Sequence, residues 1–147
     1  MPEFILDTGG AVTQSWRWVD LDAFTQGYVE ALFFTDSGPD EGQLGDAGFA
    51  DLAPEALQTI ITDCARFQTD PSAEPLLAIA YECYDYSAEQ AGRDFWFTRN
   101  GHGVGFWDRE QLGAGALGEA LAACCGWRTA YGERWSALDR NGAVLLP

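Results

Sequence analysis

The chain contains no lysine and a single histidine, His102, among its 147 residues. All its positive charge therefore rests on eight Arg. With one imidazole, any Ser- or Cys-based triad must centre on His102. Cysteine is sparse and poorly spaced for metal: Cys64, Cys83, Cys124 and Cys125 form no C-x-x-C pair, and adjacent Cys124 and Cys125 cannot share one helix face. Neither a metal nor a cofactor is expected. Cys64, Cys83 and Cys124 fall at apolar helix positions and read as small, reduced core residues. No apolar run approaches the roughly 18 residues of a membrane span. The start, Met1-Pro2-Glu3-Phe4, has no basic region and no long apolar core, so no signal peptide and a cytoplasmic location are expected. There is no phosphate-loop signature and no G-x-S-x-G elbow.

What the chain has in excess is carboxylate, and it is unevenly placed. Residues 1–92 hold 17 Asp/Glu against two Arg, while residues 93–147 hold six acids and six Arg. The whole net charge of −15 thus belongs to the first two-thirds. Such a field repels nucleic acid and anionic membrane and attracts basic protein surfaces. A hydrophobic content of 47% with 14% aromatic residues is more than a disordered acidic chain carries. One packed domain over 1–147 is expected, acidic and mainly helical to 92, charge-neutral and hairpin-rich beyond.

Short strands are expected at Phe4–Leu6 and Ser15–Val19. Asp20 or Asp22 caps a helix to about Phe34. Thr35–Asp51 reads as a long acidic loop. Pro54 suits the first position of a helix over about 54–67, in which Leu57, Ile60, Ile61, Cys64 and Phe67 follow the 3.6-residue period. A third helix spans about 73–84. Ser87-Ala88-Glu89-Gln90 has capping-box spacing and opens a short turn or helix ending near Gly92. Phe95–Thr98, Asn100-Gly101 and Gly103–Asp108 then predict a hairpin, because Asn-Gly is the preferred type I′ turn pair. That hairpin puts Phe95, Phe97, Val104 and Phe106 on a core face. Trp96 and Trp107 share the other face, with Arg99 and His102 at the tip. Residues 112–125 form the last helix, and Trp127–Leu138 with Ala143–Leu146 a second hairpin turning at Asp139–Gly142. The expected fold is α+β, with about four helices packed on a small antiparallel sheet built from two hairpins.

Ala91-Gly92-Arg93-Asp94-Phe95-Trp96-Phe97-Thr98-Arg99-Asn100-Gly101-His102-Gly103-Val104-Gly105-Phe106-Trp107-Asp108-Arg109 resembles a segment of small acidic proteins encoded by bacteriophages and plasmids, which share AGxDFWxTRNGHGxGFWDR. Residues 28–41 and 52–67 are similar to the same group; the resemblance covers residues 23–110, with no clear match after Trp127. Where the group often carries His, this chain has Arg93. The resemblance implies an accessory protein of a mobile genetic element and brings no enzymatic activity with it.

Three functions follow. The first is a DNA-mimic inhibitor, of anti-restriction or anti-CRISPR type, whose carboxylates occupy the basic nucleic-acid-binding surface of a host enzyme. Its expected contacts are Asp36, Asp40, Glu41, Asp46 and Asp51 from the loop, and Asp63, Asp70, Glu74, Glu82, Asp85 and Glu89 from the following helices. The second is a non-catalytic module that binds single-stranded nucleic acid or a small ligand through Trp96, Arg99, His102 and Trp107, where exposed Trp residues could equally make a homodimer seam. The third is an enzyme built on His102 with Asp94 or Asp108, which lacks a further polar partner at meaningful spacing. Calcium in the 36–46 loop is disfavoured: Gly38 takes the third ligand position, and Glu41 the place of the required Gly.

Overall fold

The computed structural model describes residues 4–6, 12–14, 17–36, 48–102, 104–112, 116–126, 129–134, 136–138 and 142–146. Five helices carry it: α1 (Ala23–Asp36), α2 (Pro54–Gln68), α3 (Glu74–Cys83), α4 (Ala88–Arg99) and α5 (Ala116–Cys125). Strands contribute little. β1 (Phe4–Leu6) pairs with β2 (Val12–Gln14) over three residue pairs, and β3 (Ala137–Leu138) with β4 (Val144–Leu145) over two. The expected α+β sheet is therefore overturned, and the fold is mostly helical.

The first two helices begin where local chemistry asks them to. Asp22 Oδ1 accepts from the backbone N–H of Thr25 at 2.8 Å, making Asp22 the cap of α1. Pro54 occupies the first turn of α2, where its missing N–H costs nothing. The strand expected at Ser15–Val19 is replaced in its described part by a 3₁₀ turn at Trp18–Asp20.

The largest correction is α4. Ser87 caps it as expected, its Oγ accepting from the N–H of Gln90 at 3.1 Å. The helix does not stop at Gly92, however, and runs through the residues read as the first strand of a hairpin. Phe95, Trp96, Phe97, Thr98 and Arg99 are all buried, because α4 is enclosed on almost every side. A helix buried all round has no polar stripe, and its short apolar run looks like a core strand. Asn100-Gly101 is the helix terminus. Gly101 has φ +66°; its N–H donates to the carbonyl of Thr98 and that of His102 to the carbonyl of Phe97. These two bonds are a Schellman cap, completed by the edge-on contact of the His102 and Phe97 rings. Asn-Gly serves a hairpin turn and a helix cap alike, since both need positive φ. The expected return strand holds a 3₁₀ turn at Phe106–Asp108 instead.

α4 lies against α1, and contacts advance together along both: Gly27 beside Glu89, Glu30 beside Arg93, Thr35 beside Trp96. The two helices run in the same direction. Their backbones touch, because a methyl on Gly27 would collide with the carbonyl of Glu89, and one on Gly92 with that of Phe24. The core is aromatic. Phe67 of α2 stacks on Phe95 of α4 with centroids 4.4 Å apart, Phe24 flanks both, and Tyr131 meets each edge-on. β4 closes one side, where the Ala53 N–H donates to the Val144 carbonyl at 2.9 Å. Of the thiols expected inside, Cys64 is buried and Cys124 half-buried, but Cys83 is exposed and Cys125 is buried in its place. Among the described residues no helix is long and apolar enough to cross a membrane.

The Gly92 contact is testable. Gly92→Ala forces α1 and α4 apart and is expected to destabilise the protein by about 2–3 kcal/mol. Gly101→Ala meets open space and has only its φ to oppose it, so about 1 kcal/mol is expected. Urea unfolding of the two variants checks both; equal losses would contradict the close crossing.

Candidate functional site: a buried arginine hub and an unpaired acidic surface

Asp63 sits on the inward stripe of α2, at helical spacing from Ile60, Cys64 and Phe67, and all four are buried. A carboxylate there requires a buried cation, and Arg99 supplies it. The Arg99 guanidinium has no solvent exposure. Its Nη1 donates to Asp63 Oδ2 at 2.8 Å and to the Tyr28 hydroxyl at 3.2 Å. Its Nε donates to the Gly132 carbonyl at 2.9 Å, and its Nη2 to the carbonyl of Tyr131. The group also lies over the Phe95 ring, 5.1 Å from its centroid. One side chain thus ties α4 to α1, to α2 and to the segment after α5. Burial works against the charge of Arg99, but Tyr28 and Asp63 outweigh it and hold the guanidinium above its ordinary value. Arg134 adds a second cation to the same Asp63 oxygen at 3.0 Å, and its backbone N–H donates to Asn100 Oδ1 at 2.7 Å.

A second enclosed carboxylate repeats the pattern. Asp94 of α4 is fully buried and accepts from Tyr86 Oη at 2.6 Å, Gln90 Nε2 at 3.1 Å and Arg109 Nη2 at 2.7 Å. Burial and the Asp94 charge push the Tyr86 phenol up, so it stays a donor. Burial also pushes the Cys64 and Cys125 thiols up, which makes them inert.

The expected aromatic site is not assembled. Trp96 is buried with its indole N–H donating to Thr35 Oγ1 at 2.9 Å, and Arg99 is the hub just described. His102 is half-buried, its ring 6.2 Å from that of Trp96. Trp107 alone faces solvent, at 47% exposure. A homodimer seam through Trp96 is therefore ruled out. The expected acidic contacts also divide. Asp63 is turned into the core. Asp70 accepts from the Tyr131 hydroxyl at 2.7 Å and from the Ser72 N–H at 2.8 Å. Asp51 is exposed and holds the Gly48 N–H. Asp36 ends α1. Asp40, Glu41 and Asp46 lie outside the described residues. Glu74, Glu82 and Asp85 are exposed, Glu89 is half-buried, and none of these four has an ion pair among the described residues.

Sequence reasoning missed the surface between those acids. Ile79, Tyr81 and Tyr84 are exposed on α3 and its end, and Phe34 is exposed at 81%. Phe34 borders an apolar groove of about 310 Å³, lined also by Glu30, Ala31, Arg93 and Phe97. Solvated aromatics on an otherwise amphipathic helix leave little trace in a periodicity dominated by the inward stripe. Among the described residues no three His, Cys, Asp or Glu side chains stand together as metal ligands. No protein-family model, no curated protein and no solved structure matches the chain.

Two outcomes test this network. Arg99→Leu leaves Asp63 buried with only half-buried Arg134, and should cost about 3–5 kcal/mol in urea unfolding. Arg99→Lys keeps the charge without the fork and should recover only part; a loss under about 1 kcal/mol for Arg99→Leu would contradict the hub. The hydrogen bond from Tyr131 holds the Asp70 carboxyl below its ordinary 3.8. A depressed carboxyl stabilises the fold above its unfolded value and loses that stabilisation as pH falls through the folded one. Stability measured from pH 5 downward should therefore fall less steeply below 3.8 in Tyr131→Phe than in the parent; parallel acid limbs would sink the assignment.

Proposed function

We propose that the protein is a non-catalytic acidic inhibitor that occupies the basic nucleic-acid-binding surface of another protein, acting in a bacterial cytoplasm as an accessory factor of a mobile genetic element. The observation that carries this reading is where the arginines go. Arg93, Arg99, Arg109 and Arg134, from the charge-neutral part of the chain, each pair with a carboxylate, at Glu30, Asp63, Asp94 and Asp63. Arg17 pairs with Asp20, and Arg66 lies over the Tyr131 ring. Two of the acids so neutralised, Asp63 and Asp94, are buried. Among the described residues, the positive charge of Arg93, Arg99, Arg109 and Arg134 is taken up in carboxylate pairs, while Glu55, Glu74, Glu82 and Asp85 stay exposed and without ion pairs. Carboxylates left in this way offer a cationic groove the charge that a phosphate backbone would offer, and docking gains from the same release of counterions.

The role is checked by competition. A restriction endonuclease, an RNA-guided nuclease and a repair glycosylase are each loaded with fluorescent duplex, and the protein is titrated in. Release of duplex from at least one is expected, weakening by about tenfold or more between roughly 50 and 200 mM salt. Release from none of the three, or a shift of the free duplex by the protein itself, would contradict the reading.

A further inference from the structure

The outer side of α3 combines exposed apolar side chains with exposed carboxylates that form no ion pair among the described residues. Pro75, Ala78, Ile79 and Glu82 fall at helical spacing and are all exposed, with Ile79 at 45%. Tyr81 and Tyr84, towards the end of the helix, are also exposed, at 37% and 39%. Glu74 stands at its start, and Glu82 and Asp85 at its finish, all without ion pairs among the described residues. The sequence between Arg66 and Arg93 contains no positive residue at all. The inward side is already spent, since Leu77, Ala80 and Ala73 are buried.

An apolar strip with an acidic border selects its occupant. A second copy of this chain would bring Glu74, Glu82 and Asp85 against the same residues, and like charges facing each other oppose a symmetric contact. A nucleic acid is repelled by the same groups. A basic amphipathic segment satisfies both parts: its apolar side chains cover Ile79, Tyr81 and Tyr84, and its Arg or Lys residues meet the carboxylates. Arg gains further by lying on a tyrosine face. We infer that the outer face of α3 is the docking surface for a basic amphipathic helix of the partner protein, anchored apolar-to-apolar at Ile79 and Tyr84. This rests on the proposed binding of a basic partner and gives it a location and an apolar component.

Three synthetic helical peptides test it: one with a leucine stripe and an arginine face, one with its leucines replaced by serine, and one with its arginines replaced by glutamate. Their binding is followed by backbone amide shifts of the intact protein. The leucine–arginine peptide should bind, moving resonances of 74–86. The serine version should bind at least about tenfold more weakly, and the glutamate version not at all. The double variant I79S/Y84S should lose about tenfold for the leucine–arginine peptide and nothing for the serine peptide, with an unchanged unfolding curve as its folding control. Undiminished binding to I79S/Y84S, or shifts centred on Phe34, would overturn the α3 site and leave a basic partner standing. No binding of either arginine peptide would overturn both. Sedimentation showing a dimer that I79S/Y84S dissolves would assign the face to self-association and also overturn the inference.

Discussion

The Arg99 guanidinium is enclosed where α1, α2, α4 and the segment after α5 meet, and the rest of the packing is arranged to keep it charged there. A buried guanidinium is tolerable only when each of its nitrogens has an acceptor and an anion is at hand. Here the acceptors are the Tyr28 hydroxyl, two backbone carbonyls and Asp63, and the face of Phe95 takes the remaining side. The four acceptors come from parts of the chain 32 to 71 residues away from Arg99. The hub can exist only when the whole domain is in place, so it penalises partial or alternative packings. The Gly27–Gly92 crossing supports it by bringing α1 close enough for Tyr28 to reach.

The same constraint bears on the surface. A chain with eight Arg and 23 acids has few cations to distribute. Placing Arg99 inside, and Arg109 and Arg134 against buried carboxylates, removes three of them from the exterior balance. The acids paired inside, Asp63 and Asp94, are held by arginine, while Glu74, Glu82 and Asp85 on and beside α3 stay exposed without ion pairs among the described residues. Helix packing and the proposed docking role are therefore two consequences of one allocation of charge.

Much of the acidic part was legible. Asp22, Pro54 and Ser87 announce helix starts through backbone chemistry that needs no tertiary information, and the stripe of α2 identifies its buried side. The end of α4 was not legible, for a physical reason. Phe95–Phe97 has no polar face because the helix is surrounded, and Asn100-Gly101 supplies a positive φ that a hairpin and a helix cap use equally. Reading the pair as a turn moved Trp96 and Arg99 from the centre of the molecule to an exposed surface. One signal pointed the other way: Asp63 at the spacing of Ile60, Cys64 and Phe67 called for a buried cation. Phe95, Phe97 and Phe106 reached the core as expected, by a different backbone route.

Arginine-selective labelling with phenylglyoxal, read site by site by mass spectrometry, addresses the burial of Arg99 most directly. In the native protein Arg17 and Arg66 should react at rates near those of free guanidinium groups, while Arg99 should stay unmodified until denaturant unfolds the chain. Modification of Arg99 at the rate of Arg66 in the folded protein would place it at the surface, and the account of how this chain divides its charge would fail.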